Sequence, residues 1–321
     1  MSIISTDIAK AIAILNNDDV VAIPTETVYG LAGNIYSEKA INRIFAVKKR
    51  PFFNPLIVHV HDVKEVDKLV TDFPEKARLL ALTFWPGSLT LILPKKDSVP
   101  DLITAGKDSV AVRVPNHPVT LELLRRLDFP LAAPSANPFG SISPTKAIHV
   151  NDYFENDIGM VLEGGSCANG IESTIVGFES GEPIVYRLGS ISLEELEAVV
   201  GPVSVMNKKE NAPVAPGMLS RHYAPKTRTY LVDNVTAFIA NHTDKKIGVI
   251  THDEHIETTE RVTVIKLSST ADLKQAAAAL YSSMHHLDTL DLDLIVAQRF
   301  PDTGMGRAIN DRLERATKIA D

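Results

Sequence analysis

Cysteine is nearly missing from this chain: Cys167 is the single one in 321 residues. That excludes an internal disulfide and any zinc site built on several thiolates. Long apolar runs are missing as well. None approaches the ~20 residues that cross a bilayer, so no membrane partner is expected. A basic excess is also absent, since 33 Lys and Arg against 40 Asp and Glu leave a formal charge of −7. A general nucleic-acid binder normally carries a cationic surface. Any anion this protein holds must therefore meet a local cationic pocket. Glycine and proline are not in excess, and there is no internal repeat or low-complexity tract.

The familiar signatures of nucleotide and metal chemistry fail too. Gly165 and Gly170 have the spacing of a P-loop, but Ile171 and Glu172 stand where Lys and Ser/Thr are needed to meet a β- or γ-phosphate. Gly304-Met305-Gly306 lacks the third small residue of a dinucleotide fingerprint and falls late in the chain. No His-Glu-x-x-His occurs. His252 with His255, and His285 with His286, read as ordinary polar positions without a third ligand. No metal ligand set is identified.

What is present starts with length: 321 residues predict two domains in a soluble, cytoplasmic protein. The first residues read as an amphipathic helix capped near Thr6, with Ile8, Ile12 and Leu15 at helical spacing, rather than as a targeting segment. An apolar strand over 20–23 then stops at Pro24. A helix follows with Ser37 as N-cap and Ile41, Ile44 and Phe45 on one face, ending in Lys48, Lys49 and Arg50 before Pro51. A second strand covers 56–60, so the stretch reads as a βαβ-type unit.

Further along, 63–82 reads as helix broken at Pro74, with strands at 88–93 and 109–114. In the latter, Val110, Val112 and Val114 share one face while Ala111 and Arg113 share the other. A helix at 117–127 leads to a short strand and a loop rich in Pro, Ser, Asn and Gly. Ser143-Pro144-Thr145 resembles a helix start, with Ser as N-cap and Pro at the first position. Strands are expected at 160–162, 173–178 and 183–188 and a helix at 192–199. Periodicity vanishes over 206–228, which reads as a linker. Strands at 230–232, 247–250, 262–267 and 292–297 then alternate with helices, notably 271–287 and 307–320, the pattern of a small open parallel sheet. The boundaries are therefore 1–205, 206–228 and 229–321.

Several polar residues sit at or near strand ends, and each has two readings. Lys48 and Arg50 serve as helix C-terminal cations or as anion ligands. Arg113, between valines, needs an acidic partner, either a protein carboxylate or a bound anion. Arg187 poses the same choice. His59 is a core histidine or a site residue. Ser135 and Asn137 are turn residues or ligands, and Ser173 and Thr174 are strand hydroxyls or ligands. Convergence on one concave face would suit a polyphosphate together with a small polar molecule bearing a carboxylate. Phosphoryl-type transfer asks mainly for alignment and charge neutralisation, so the lack of an evident nucleophile or acid–base dyad is no obstacle.

The residues PTETVYGLAG, the pair Lys48 and Arg50 followed by PFFNPL, and the Ser135-Ala136-Asn137 triplet resemble the YrdC-like family. APGMLSRHYAP and the closing GMGRAINDRLERA are similar to the long, two-domain threonylcarbamoyl-AMP synthases of that family. The resemblance implies a twisted, mixed, open α/β sheet with a cationic cavity, followed by a smaller Rossmann-like α/β domain. It implies an enzyme that makes threonylcarbamoyl-AMP from L-threonine, bicarbonate and ATP, with Mg²⁺ entering as Mg-ATP. The downstream partner would be the machinery that transfers threonylcarbamoyl to tRNA. By the same resemblance Thr27, His59, Arg113, Ala133 and Ser173 surround threonine. Arg50, Asn54, Ser109, Ser135, Asn137, Ser143, Arg187 and Tyr223 hold ATP, and Lys48, Arg50 and Arg113 carry the catalytic charge. Leu219-Ser220 departs from the Lys-Tyr of many long members. The alternatives are a module that binds double-stranded RNA or tRNA without catalysis, and a hydrogenase-maturation type of carbamoyl chemistry, which the single cysteine and the length oppose.

Overall fold

The computed structural model of the chain describes residues 3–206, 222–252 and 254–317. Most of the linker reading, including Leu219-Ser220, lies outside the described residues.

The first part of the chain builds strands β1 (Ile4–Ser5), β2 (Val21–Ile23), β3 (Gly30–Asn34), β4 (Ile57–His59), β5 (Leu89–Pro94), β6 (Ser109–Arg113), β7 (Leu131–Ala132), β8 (Val161–Leu162), β9 (Thr174–Glu179), β10 (Glu182–Arg187) and β11 (Ser204–Val205). Its helices are α1 (Ile8–Asn16), α2 (Glu38–Lys48), α3 (Val63–Val66), α4 (Glu75–Phe84), α5 (Asp101–Thr104), α6 (Pro118–Arg125), α7 (Ala147–Phe154) and α8 (Leu193–Val200). The strands form one mixed sheet in the order β1-β8-β2-β3-β7-β4-β6-β5-β9-β10-β11.

Local chemistry sets the helix ends. Asp7, one residue beyond the expected cap, accepts from the Lys10 amide to start α1. Ser37 caps α2 as expected, and Ser192 with Glu195 closes a full capping box on α8. The alternation of β6 holds: Val110, Val112 and Val114 enter the main core, while Ala111 joins Ile57, Ile92 and Ile175 in a small cluster on the other face.

Two expectations are corrected. The opening stretch is not a βαβ unit, because β3 and β7 lie between β2 and β4 and both of β3's pairings are antiparallel. Gly30, Gly33 and Asn34 disguise β3, since glycine and asparagine are both poor strand formers. The glycines are needed for close packing: a Cβ at Gly30 would lie 3.1 Å from Ala133 Cβ, and one at Gly33 would lie 3.2 Å from Ile44 Cδ1. Nor does Ser143 start a helix. Lys146 occupies the N-cap of α7, and the Ser143 hydroxyl donates instead to Glu172 Oε1 at 2.6 Å. A buried carboxylate competes successfully for that hydroxyl.

The second part has β12 (Thr229–Val232), α9 (Val235–Ala240), β13 (Ile247–Thr251), β14 (Val262–Lys266), α10 (Leu273–Thr289), β15 (Leu294–Gln298) and α11 (Met305–Ala316). Its sheet order is β12-β15-β13-β14, parallel throughout, as the alternating pattern predicts. The two parts share apolar core: Val28, Ile142, Ile171 and Tyr223 pack in one cluster with Ala277, Leu280, Tyr281 and Ile309. Gly170 makes this seating possible, because a Cβ there would lie 2.4 Å from the Ala278 carbonyl oxygen of α10. No helix among the described residues is long and apolar enough to cross a membrane.

Candidate active site

Sheet topology brings distant positions together at one end of the central strands. β4 and β6 run parallel in a register that places His59 beside Arg113. The N-terminal end of β9 and the C-terminal end of β10 reach the same edge, where a register shift between Val185 and Arg187 re-aims the arginine. Around this edge lies a cleft with about 500 Å³ of empty space, lined by Thr27, Arg50, His59, Arg113, Ala133, Ser135, Ser173, Arg187 and Tyr223 together with Val28, Ile57, Pro134, Glu172 and His222. Its lining has three guanidiniums and one carboxylate, Glu172. A protein of net charge −7 thus has a locally cationic cleft.

Arg113 resolves its two readings in favour of a protein carboxylate. It is 4 % exposed and donates to Glu26 Oε1 at 2.6 Å, Thr27 Oγ1 at 3.0 Å and the Gly87 carbonyl at 3.2 Å. Glu26 Oε2 in turn accepts from the Asn116 amide. Three of the guanidinium's five N–H donors are engaged, which leaves two for a ligand. Arg50 donates from Nε and Nη2 to the Asn54 and Pro55 carbonyls, and burial beside Arg187 lowers its pKa to about 9, still cationic at neutral pH. Arg187 grips Ser173 through both the carbonyl and the hydroxyl, at 2.9 and 3.0 Å. Ser173 also shares a hydrogen bond with Thr90. His59 is pushed down to about 3 by burial first and Arg113 second, so its imidazole is neutral.

Five of the residues expected at the site lie outside the lining. Lys48 is 1 % exposed, and its ammonium donates to the carbonyls of Ser135 and Asn137, 2.5 Å from each. It holds the loop from below, and burial followed by Arg50 disfavours its charged form. Asn137 donates to the Pro138 and Ser141 carbonyls and braces the same loop. Ser143 is bound to Glu172. Ser109 starts β6 at the end away from Arg113. Asn54 is fully buried, yet neither atom of its amide has a hydrogen-bond partner among the described residues. Such a group costs about 1–3 kcal/mol unless something pairs with it.

Glu26, Glu172 and His222 were missed as site residues. Glu26, in the turn with Thr25 and Thr27, was the available acid for a buried arginine, but a separation of 87 residues hides the pairing. Glu172 stands just before a strand hydroxyl and offered no signal beyond a failed P-loop. His222 packs on Tyr223 and on Phe139, and the Ala224 amide donates to the Gly140 carbonyl. Residues 222–224, near the end of the linker reading, therefore lie on Phe139 and Gly140, just past the Ser135–Asn137 triplet, and put Tyr223 into the cleft.

Comparison with known proteins identifies the family. Residues 13–189 match the Sua5/YciO/YrdC family model described as telomere recombination. Residues 191–317 match that of the threonylcarbamoyl-AMP synthase C-terminal domain. The threonylcarbamoyl-AMP synthase of Bacillus subtilis is 40 % identical over 319 residues, 96 % of this chain and 92 % of that protein. That of Pyrococcus abyssi is 38 % identical over 321 residues, covering 96 % and 93 %. The crystal structure of P. abyssi Sua5 complexed with L-threonine superposes with a TM-score of 0.91 at 37 % identity, covering 97 % of this chain and 94 % of that one. The chain belongs to the Sua5/YrdC family of enzymes, in its two-domain threonylcarbamoyl-AMP synthase form.

Proposed function

We propose that this protein condenses L-threonine, bicarbonate and ATP into threonylcarbamoyl-AMP, releasing pyrophosphate, as a nucleotidyltransferase that supplies the threonylcarbamoyl group for tRNA modification. The observation that carries the reading is the cleft itself, where three buried guanidiniums and a set of hydroxyls face one carboxylate. Such a lining suits a polyphosphate and an amino-acid carboxylate together. A duplex backbone could not reach guanidiniums that are only 4–7 % exposed, which disfavours simple RNA binding.

In this reading the free N–H donors of Arg113 receive the threonine carboxylate. Thr27, His59, Ala133 and Ser173 close around the rest of the amino acid. Arg50, Ser135, Arg187 and Tyr223 form the nucleotide side, with Asn54 offering its unpaired amide. Lys48, Asn137 and Ser143 act through what they hold. The neutral amine of threonine attacks bicarbonate to form the carbamate, with loss of water. A carbamate oxygen then attacks the α-phosphorus, and pyrophosphate leaves. Mg²⁺, arriving with ATP as part of the substrate, offsets polyphosphate charge. His59, with a pKa near 3, is too weak a base to strip an ammonium proton at neutral pH, so its part is positional. The test is incubation with L-threonine, Mg-ATP and labelled bicarbonate. The expected result is a labelled adenylate of the threonylcarbamoyl mass with matching pyrophosphate. Pyrophosphate release that ignores threonine, or none at all, would sink the reading.

A further inference from the structure

The charged residue most completely buried in the second domain points into the first. Arg312 of α11 has no exposed surface. Its Nε donates to Glu172 Oε2 at 2.8 Å, its Nη2 to the Leu188 carbonyl at 2.7 Å, and its guanidinium carbon lies 5.0 Å from the centre of the Tyr223 ring. Tyr281 of α10 donates to the same Glu172 oxygen at 3.0 Å and stacks on Tyr223 with ring centres 5.7 Å apart. The other oxygen of Glu172 accepts from Ser143. Apart from an ion pair of its Nη1 with Asp311 of the same helix at 2.6 Å, each contact falls on the cleft or next to it: Glu172 and Tyr223 line it, Glu172 precedes Ser173, and Leu188 follows Arg187.

A lock between two domains needs no buried charge, because apolar residues of similar volume usually do as well or better. What a planar fork adds is fixed geometry. We propose that Arg312 is a positioning residue of the cleft: reaching in from the second domain, it fixes Glu172, the end of β10 and Tyr223, so that the nucleotide side is complete only with that domain seated. This rests on the synthase reading above and assigns the second domain a part in it.

The experiment measures pyrophosphate release by the full chain as wild type, Arg312→Met, Arg312→Lys and Tyr281→Phe, varying ATP and threonine separately. Arg312→Met is expected to raise the KM for ATP at least about tenfold, equivalent to about 1.4 kcal/mol, with the KM for threonine within about twofold of wild type. Arg312→Lys is expected to rescue little, because an ammonium cannot serve Glu172 and Leu188 from one plane. Tyr281→Phe keeps the ring stack and loses one hydrogen bond, for about a threefold rise. Equal rises in both KM values, or none, would show a merely structural lock and overturn the proposal. If Arg312→Met does not fold, Tyr281→Phe decides alone, and an unchanged KM for ATP overturns it. Should wild type itself release no pyrophosphate, the synthase reading fails, and ATP affinity of wild type against Tyr281→Phe still tests the positioning.

Discussion

Arg113 shows how one residue serves structure and chemistry together. Its pair with Glu26 is 5 % and 9 % exposed, and losing one member of such a pair costs about 3–5 kcal/mol because the other charge is left buried. Arg113→Ala is therefore expected to lower both the melting temperature and synthesis. Glu26→Gln in the same chain should recover much of the stability, since no unpaired charge remains, but not the activity. A double variant that regains both would remove Arg113 from the substrate. The sequence made this arginine conspicuous by placing it between valines on a strand. Nothing local identified Glu26 as its partner, because the pair forms only once the turn after β2 meets the end of β6.

At the level of elements, α2 delivers its last residue to a loop nearly ninety positions away. The helix was fully legible, from its Ser37 cap to the apolar face of Ile41, Ile44 and Phe45, because all of those signals are local. The direction of Lys48 was not legible, since its partners are backbone carbonyls of another segment. Lys48→Met is expected to free the 134–141 loop, raising its amide hydrogen exchange about tenfold or more as the two hydrogen bonds to its carbonyls are lost. Unchanged exchange there would show that the loop is held by other contacts. Ser143 gave the opposite outcome. Its hydroxyl and the following proline imitate a helix start, and a distant carboxylate overrode the imitation.

The whole molecule holds several histidines in neutral form, His59 and His222 buried and His149 and His285 half-buried. Burial pushes His59 and His149 down to about 3 and His285 to about 4, and it holds His222 well below its usual range. His149 and His285 stack 3.9 Å apart between α7 and α10, where the two domains meet. With folded pKa values below the unfolded value of 6.5, the folded state binds fewer protons than the unfolded chain between those limits. Stability is therefore complete above pH 6.5 and declines as pH falls toward 3. The melting temperature is expected to drop by several degrees between pH 7 and pH 5.5, before most carboxylates titrate. A flat profile over that interval would contradict the neutral state.

By itself the sequence determined the class of the fold, most helices and strands, the parallel second sheet and the residue types a polyanion site requires. Those properties are written in spacing and capping, which act over a few residues. The tertiary structure alone decided which acids meet which arginines, that β3 parts β2 from β4, and that the second domain's Arg312 and Tyr281 reach the cleft wall. Such pairings depend on strand order and on the close seating of α10 over Gly170, and no local pattern encodes either.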